Sequence, residues 1–399
     1  MTSMADTWGI HKAQFWLRGE DPEAPVRFDA AAGVWCVYGY QEVQQVLTDT
    51  ATFSSNTQRV VPPEMLEGAD QFSEGNLIQM DGLEHKKLRG LISHAFTPKM
   101  VASLEPRIAE LTNELLDAVA EGNQLELVND LAYPLPVIVI AELLGVPASD
   151  RDEFRDWGSA LMESTQEFSF VDRTDDQRKR MQDAMLEVAK LGAYLREHVV
   201  DRRKNPRDDL ITKLIQAEVD GEHLSDNEVV NFSNVLLIAG HITTTMLLGN
   251  SILCLDTNRT WFDRVRADRS MIPAAIEEAL RYYSPFAGTA RATMTDVELG
   301  GEHIPADSLV VPFLGVANRD PKQFTDPHTF DPTRDPNPHV AFGRGAHFCI
   351  GAPLARLEGR VALNILLDRF PNLRCDPDRP PRFLRSLSMT GVKELPMLF

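Results

Sequence analysis

The sequence of 399 residues predicts a mainly α-helical fold with smaller β-sheets. Apolar residues recur at helical spacing in several long segments, for example at Leu104, Ile108 and Leu111. Between residues 26 and 38, two runs of β-branched and aromatic residues flank a glycine-containing turn, the pattern of a β-hairpin. The helical pattern covers far more of the chain, so helices are expected to dominate the fold.

The remaining elements follow from similar patterns. A helix is predicted around residues 43–47, and the stripe that begins at Leu104 is predicted to end at Gly122, because glycine often follows the last helical turn. Ser225 and Glu228 form a capping box, which opens the longest predicted helix, extending to about residue 256. Further helices are predicted over 185–199 and 354–370, strands over 297–299 and 308–312, and a solvated turn over 201–209.

Composition sets limits on the class of protein. No linker, low-complexity tract or internal repeat divides the chain, so we expect one domain over residues 1–399 and a monomer. The four cysteines lack disulfide-type or metal-type spacing, which predicts a reducing, cytoplasmic location. A formal net charge of −19 argues against nucleic acid as a partner. No stretch approaches ~20 uninterrupted apolar residues, so no membrane insertion is expected.

The segment 342–351 is the richest in chemical information. It contains Gly343, Gly345 and Gly351, which favour unusual backbone angles, and one cysteine, Cys349. The predicted helix over 354–370 follows directly, and a thiolate near a helix N-terminus has a lowered pKa and is a good metal ligand. A lone cysteine in a glycine-rich turn could equally be an unreactive buried thiol.

The full pattern Phe342-Gly-x-Gly-x-His-x-Cys-x-Gly351 resembles the heme-binding loop of the cytochrome P450 superfamily. The resemblance implies heme b as cofactor, with Cys349 as the axial thiolate ligand of the iron. It also implies that Phe342, Gly343 and Gly351 belong to the cofactor-binding loop. Thiolate ligation favours O–O cleavage.

A second motif lies in the longest predicted helix. Gly240 in mid-helix costs ~1 kcal/mol relative to alanine, and three successive threonines, 243–245, compete for backbone hydrogen bonds. Residues that are unfavourable for the local secondary structure often indicate a functional site. The stretch resembles the distal helix of the same family, which implies cofactor contact at Ala239 and Gly240 and a catalytic hydroxyl at Thr243.

Ile242 departs from this distal motif. It stands where the family has the acid of an acid–alcohol pair, and an isoleucine cannot carry a proton. Protons could come through water held by Thr243, through His241 or another group, or the oxidant could be peroxide, which arrives with its own protons.

Basic residues elsewhere match the family's contacts to the heme propionates. His85 and Arg89 are four residues apart and share a helical face, which by spacing alone is also typical of a solvated surface. The resemblance implies that these two residues, with Arg291 and His347, bind the propionates. Glu278 and Arg281 match the family's structural Glu-x-x-Arg pair, although three-residue spacing alone indicates only a weak surface ion pair.

The implied activity is monooxygenation. One oxygen atom from O2 would enter an apolar substrate of fatty acid, terpenoid, steroid or polyketide type. A separate ferredoxin and its reductase would supply electrons, because no Gly-x-Gly-x-x-Gly motif occurs in a suitable context. Basic residues near the cysteine would suit an acidic ferredoxin or simply be solvated: Lys86, Lys87, Arg344, Arg356 and Arg360.

Two alternative functions remain compatible with the sequence. Ile242 motivates a peroxide-driven peroxygenase, and a heme-binding sensor without turnover is the alternative from outside the enzymes. The resemblance implies an apolar substrate pocket that includes a loop within 54–81 and a lid over 162–182. By sequence alone, the loop could equally be a mobile surface loop, and Phe168 in the lid could equally be a packing residue. The predicted lining residues of the pocket are Ile78, Phe168, Val235, Ile242, Phe286, Ala287 and Leu387.

Overall fold

The computed structural model describes residues 3–60, 74–150, 153, 157, 175–384, 386 and 388–399. The predicted fold class is confirmed, since helices dominate these residues and several small sheets accompany them. The α-helices in the described residues are α1 Met4–Thr7, α2 Tyr40–Thr48, α3 Gly82–Ala95, α4 Pro98–Ser103, α5 Glu105–Asp117, α6 Pro134–Leu144, α7 Asp175–Lys204, α8 Leu210–Gln216, α9 Asp226–Thr257, α10 Arg259–Ala267, α11 Ile272–Tyr282, α12 Leu314–Ala317 and α13 Ala352–Arg369.

The strands are short and form separate sheets. The largest sheet in the described residues has five strands in the order β1-β2-β10-β7-β3, with only the β2–β10 pair parallel. The strands are β1 Val26–Asp29, β2 Val34–Val37, β3 Phe53–Ser54, β4 Gln124–Glu126, β5 Glu218–Val219, β6 Glu222–His223, β7 Arg291–Thr293, β8 Val297–Leu299, β9 Glu302–Ile304, β10 Leu309–Pro312, β11 Arg374–Cys375, β12 Arg382–Phe383, β13 Val392–Glu394 and β14 Pro396–Leu398.

The long helix α9 lies at the centre of the helical core. It packs against α6, α7, α11 and α13, and most of its residues between Val229 and Leu255 are buried. Its predicted capping box is present, because Ser225 accepts from the Glu228 amide and the Glu228 carboxylate accepts from the Ser225 amide. The predicted hairpin is also confirmed as β1 and β2, paired antiparallel.

Two predicted boundaries were wrong. The helix predicted to reach Gly122 ends at Asp117, and Gly122 is not its cap, because residues 118–122 already turn the chain into β4. The solvated turn predicted over 201–209 is partly helical. There α7 continues to Lys204, and the buried Arg202 side chain donates to the Asp209 carboxylate and to the Gly145 carbonyl. Charge in the sequence was therefore a poor guide to exposure at this position.

Helix α9 is long and apolar enough to cross a membrane by length and composition. However, 72% of its most hydrophobic window is buried inside the protein. The helix is therefore accounted for as a core element, and its hydropathy carries no evidence of membrane insertion.

Candidate active site

The cysteine loop is held by backbone geometry that glycine permits. Gly343 and Gly345 both have positive φ, 70° and 71°, and a Cβ on Gly345 would lie 3.1 Å from the Leu47 carbonyl of α2. The Cys349 amide donates to the Phe342 carbonyl at 2.9 Å, which closes the loop. The predicted helix after the loop is present as α13, which begins at Ala352, two residues before the predicted start.

The electrostatic setting of Cys349 differs from the prediction. Burial raises the pKa of its thiol, although the amides of Gly351 and Ala352 and the charges of Arg89 and Arg356 act in the opposite direction. The predicted backbone donors are present, but they do not outweigh the loss of water around the sulfur. A bound metal ion would deprotonate a coordinating thiol outright.

One face of α9 is exposed within an otherwise buried helix. Ala239 is exposed and Thr243, one turn later, is half-buried, whereas Thr244 and Thr245 are buried. Val235 lies one turn before Ala239 and is half-buried on the same side. The Thr243 hydroxyl donates to the Ala239 carbonyl at 2.6 Å, so its oxygen remains available to accept a hydrogen bond.

Gly240 and His241 have other surroundings. A Cβ on Gly240 would lie 2.8 Å from Ile140 Cδ1, so the small residue accommodates the packing of α6 on α9. His241 is buried beside Tyr133, with ring centroids 4.4 Å apart, and burial lowers its pKa to about 3. It lies about half a helical turn from Ala239 and Thr243, so it cannot take over proton transfer on their face.

Ile242 is enclosed by apolar side chains. It is 3% exposed and forms a small buried cluster with Met246, Leu384 and Met389, against which Tyr133 packs. Its place in the substrate pocket therefore stays a prediction, and in this structure the side chain has little surface open to a ligand. The buried residues that form its cluster are apolar.

The four predicted propionate ligands come from three parts of the fold. His85 and Arg89 lie on α3, Arg291 on β7 and His347 in the cysteine loop. The rings of His85 and His347 are 4.2 Å apart, and Arg89 donates to the Phe348 carbonyl. Burial, followed by the charges of His347 and Arg89, lowers the pKa of His85 to about 4.

Two of these side chains carry buried nitrogen atoms without a partner. Within the described part of the chain, His85 Nε2 and Arg291 Nε make no hydrogen bond, although both residues are at most 5% exposed. Buried polar groups in proteins are nearly always satisfied, so each unpaired atom indicates a missing partner. Carboxyl groups can be such partners, and these residues therefore fit the two propionates of a heme.

Sequence reasoning missed one member of this cluster, Asp81. Its carboxylate accepts from the Ser54 hydroxyl at 2.8 Å and the Ser55 amide at 2.7 Å, and lies 3.2 Å from His347 Nε2. Burial would raise its pKa, but the hydrogen bonds from His347, Ser54 and Ser55 hold it well below the usual range. An aspartate directly before a helix is typical of an ordinary N-cap, so the sequence alone gave no signal.

Glu278 and Arg281 form a buried ion pair, not a surface one. Both are 0% exposed, and Arg281 donates twice to Glu278 at 2.7 and 2.8 Å. Arg281 also donates to the carbonyls of Asn318, Pro327 and Thr329. Glu278 accepts from the amide of Asp331. The pair ties α11 to the irregular chain that leads to the cysteine loop.

The predicted pocket residues are only partly brought together. Ile78 and Phe286 are 54% and 40% exposed. Ala287 is buried with Trp16 and Tyr38, because successive residues of an extended segment point to opposite sides. Its place in the pocket stays a prediction. Phe168, Leu387 and the lid up to residue 174 lie outside the described residues.

Three of the five basic residues predicted to attract a ferredoxin are already paired. Lys87 lies 2.8 Å from Glu222, Arg356 binds Glu277 through two hydrogen bonds and Arg360 binds Glu105 in the same way. Within the described part of the chain, Lys86 and Arg344 are exposed and form no ion pair. The positive surface near the cysteine is therefore smaller than the sequence indicates.

Comparison with known proteins agrees with this geometry. The family model for cytochrome P450 matches residues 28–398. Cyclomarin C epoxidase CymV of Salinispora arenicola is 45% identical over 359 residues, 90% of this chain and 89% of that protein. Erythromycin C-12 hydroxylase of Saccharopolyspora erythraea is 43% identical over 387 residues, 96% of this chain and 93% of that protein.

The fold is also that of solved relatives. The crystal structure of HmtT, involved in himastatin biosynthesis, superposes with a TM-score of 0.89 at 53% identity and covers 100% of both chains. The match extends over the cysteine loop, the long central helix and the buried Glu278–Arg281 pair. The chain therefore belongs to the cytochrome P450 family and is a heme-dependent monooxygenase.

Proposed function

We propose that the protein oxidises a preassembled secondary metabolite by inserting one oxygen atom from O2 at a carbon centre. The observation that carries this proposal is the cysteine loop with its adjoining unpaired donors, His85 Nε2 and Arg291 Nε. Together they form a site for a heme with one protein ligand and two anchored carboxylates. Cys349 is the proposed iron ligand, and a thiolate-ligated heme supplies the O–O cleavage and oxygen transfer when bound.

The remaining residues bind and orient. Arg89 and Arg291 hold the two carboxylates by charge and hydrogen bonding, and His85 and His347 hold them by hydrogen bonding. Phe342, Gly343 and Gly351 form the loop beside the cofactor, and Ala239 leaves room for it on α9. Glu278 and Arg281 act structurally, by fixing the chain that carries the loop.

Thr243 is the residue proposed to handle protons. The overall reaction consumes a substrate RH, O2, two electrons and two protons, and yields ROH and water. The Thr243 oxygen can accept a hydrogen bond from a water molecule while its own proton is directed to the Ala239 carbonyl. In this way it can hold water on the exposed face of α9, where Ile242 offers no acid.

The substrate class is inferred from the relatives and the pocket. Those relatives are named for the oxidation of cyclomarin C and erythromycin and for himastatin biosynthesis. Ile78, Val235 and Phe286 offer apolar surface in the described part of the pocket. We expect a finished or nearly finished natural product of the polyketide or peptide type, in preference to a fatty acid, terpenoid or steroid.

An optical titration tests the substrate class. The ferric protein is titrated with cyclomarin C, erythromycin, a long-chain fatty acid, a terpenoid and a steroid, and the low-spin to high-spin shift is recorded. We expect saturable shifts for the natural products alone, followed by a product larger in mass by one oxygen. Saturation by the fatty acid or the steroid alone would contradict the assignment.

The electron donor is proposed to be a ferredoxin with its reductase, in a cytoplasmic setting, and the enzyme is proposed to act as a monomeric single domain. The expected docking surface near the cysteine retains Lys86 and Arg344 as exposed cations. Reconstitution with ferredoxin, reductase and NAD(P)H tests this proposal, because product must depend on all three.

A peroxide-driven peroxygenase is the second candidate. It is favoured by the apolar enclosure of Ile242 among Met246, Leu384 and Met389, because peroxide brings the protons that an acid would otherwise deliver. In this reaction RH and H2O2 yield ROH and water. Turnover with peroxide at a rate above the ferredoxin-supported rate would establish this candidate, whereas tightly coupled ferredoxin-supported turnover would exclude it.

A further inference from the structure

Asp81 joins three segments that surround the heme site. Its Oδ2 atom accepts from the Ser54 hydroxyl of β3 and from the amide of Ser55, and its Oδ1 atom lies 3.2 Å from Nε2 of His347 in the cysteine loop. Asp81 itself directly precedes α3, which carries His85 and Arg89. One carboxylate therefore links the sheet, the helix and the loop.

This carboxylate does not serve as a helix cap. Asp81 occupies the N-cap position of α3, yet its side chain accepts no hydrogen bond from the first turn. Asp209, at the N-cap of α8, accepts from the Thr212 amide at 2.8 Å in the usual way. A missing N-cap hydrogen bond costs about 1 kcal/mol of stability. The contacts that the Asp81 side chain makes elsewhere must therefore offset this cost.

The partner gained by this diversion is His347. Nε2 of His347 contacts both Asp81 and the Ser55 hydroxyl, the latter at 2.9 Å, while the ring packs against His85. Contacts on one nitrogen and on the ring face fix the orientation of the imidazole. The Arg291 side chain, whose Nε has no partner among the described residues, is close enough to interact electrostatically with Asp81.

We propose that Asp81 is a positioning residue for the heme. By holding His347 in one orientation, it prepares the cluster of basic side chains to receive the heme carboxylates. The inference rests on the proposed assignment of His347 to those carboxylates. Partners that orient a ligating histidine in metal sites act similarly, and their loss costs about 10- to 100-fold in affinity.

The test is a double-mutant cycle on heme retention, which needs no substrate. Asp81→Asn preserves the shape and can still accept from Ser54 and Ser55, but it removes the charged partner of His347. We expect heme transfer to apomyoglobin to accelerate about 10- to 100-fold in this variant. His347→Ala should accelerate it as well, and the double variant should lose heme no faster than His347→Ala alone.

Two further measurements separate positioning from general stability. Asp268→Asn is the matched control, because Asp268 also accepts from a serine hydroxyl and amide, those of Ser270, and makes no contact with the basic cluster. This control should retain heme like the wild type. The midpoint potential should rise in Asp81→Asn, because a negative charge beside the cofactor site is removed.

The outcomes are distinct. Unchanged heme loss in Asp81→Asn, an additive cycle or an unchanged potential would each overturn the role of Asp81. Unchanged heme loss in His347→Ala would overturn the proposed carboxylate assignment together with it. Faster heme loss in His347→Ala with wild-type behaviour of Asp81→Asn would leave the assignment standing and remove only the inference about Asp81.

Discussion

At the scale of single residues, the distal helix α9 combines a family-like hydroxyl with an unusual neighbour. Thr243 is on the exposed face, and Ile242 is packed into the core with Met246, Leu384 and Met389. Ile242 stands at the acid position of the distal motif, and the side chains that pack with it in the core are apolar. We therefore propose that protons come through Thr243 and water, or arrive with the oxidant.

Thr243→Val is expected to lower the yield of product per electron pair several-fold, because the hydroxyl that holds water on α9 is removed. The measurement is the ratio of product to NADH consumed in the reconstituted system. Thr245→Val is the control, since that hydroxyl is buried and donates to the His241 carbonyl. An equal loss of coupling in the two variants would rule out a specific role for Thr243.

Ile242→Glu is expected to destabilise the protein without restoring coupling. The carboxyl would move from water into the apolar cluster of Met246, Leu384 and Met389, at a cost of about 2 kcal/mol or more. The control Ile242→Val should cost about 0.5–1.5 kcal/mol. Denaturant unfolding measures both variants, and a glutamate variant of wild-type stability with improved coupling would refute this description of the site.

At the scale of elements, α11 and α13 carry buried charges of different kinds. On α11, Glu278 and Arg281 satisfy each other and several backbone groups. On α13, Glu358 is 1% exposed, and its Oε2 has no hydrogen-bond partner among the residues that the structure describes. The Glu278–Arg281 pair fixes the position of the neighbouring backbone, whereas the buried Glu358 carboxyl makes the stability of the protein depend on pH.

Arg281→Met is expected to lower the free energy of unfolding by about 3–5 kcal/mol, because it leaves the charge of Glu278 buried and uncompensated. The control is Lys190→Met, which breaks the Glu187–Lys190 pair of the same i,i+3 spacing on the exposed side of α7. That loss should be at most about 1 kcal/mol. Comparable losses in both variants, measured by denaturant unfolding, would contradict the prediction.

Glu358→Gln is expected to change the pH profile of stability. Burial raises the pKa of Glu358 to about 8, from a usual value near 4.5. Between these values the unfolded chain is ionised while the folded protein retains the proton, so wild-type stability falls as pH rises. The variant should therefore gain stability relative to wild type from about pH 5 to 8 in thermal unfolding, and a constant difference would disprove the prediction.

At the scale of the whole molecule, several of the basic side chains form ion pairs with acidic residues of the same chain. The net charge is −19, and near the cysteine Lys87, Arg356 and Arg360 are each paired with a glutamate. Lys86 and Arg344 have no ion pair among the described residues. An acidic partner that binds this surface would therefore find fewer unpaired cations than the number of basic residues in the sequence suggests.

Arg344→Gln is expected to weaken the apparent affinity for ferredoxin and to reduce the salt dependence of electron transfer, because an exposed interfacial charge acts mainly on the association rate. Arg360→Gln is the control, since Glu105 already neutralises that side chain. Stopped-flow reduction at several salt concentrations compares them. A larger effect of Arg360→Gln would place the docking surface elsewhere.

The sequence by itself determined the fold class, the capped central helix, the hairpin and the cysteine loop. These features depend on local patterns, such as apolar periodicity, a capping box and glycines that allow positive φ, and each of these patterns is formed by residues close together in the chain. The sequence also showed the departure at Ile242, because an isoleucine at the acid position of the distal motif cannot carry a proton.

Only the tertiary structure decided how those features combine. Asp81 looks like an ordinary helix cap until folding brings it to His347, 266 residues away. Ile242 and Ala287 were expected in the pocket, but packing places both in the core. Burial reversed the expected direction for the Cys349 pKa and turned Glu278 and Arg281 into a buried pair. Exposure and long-range partners depend on which surfaces the fold brings together, and no local pattern encodes them.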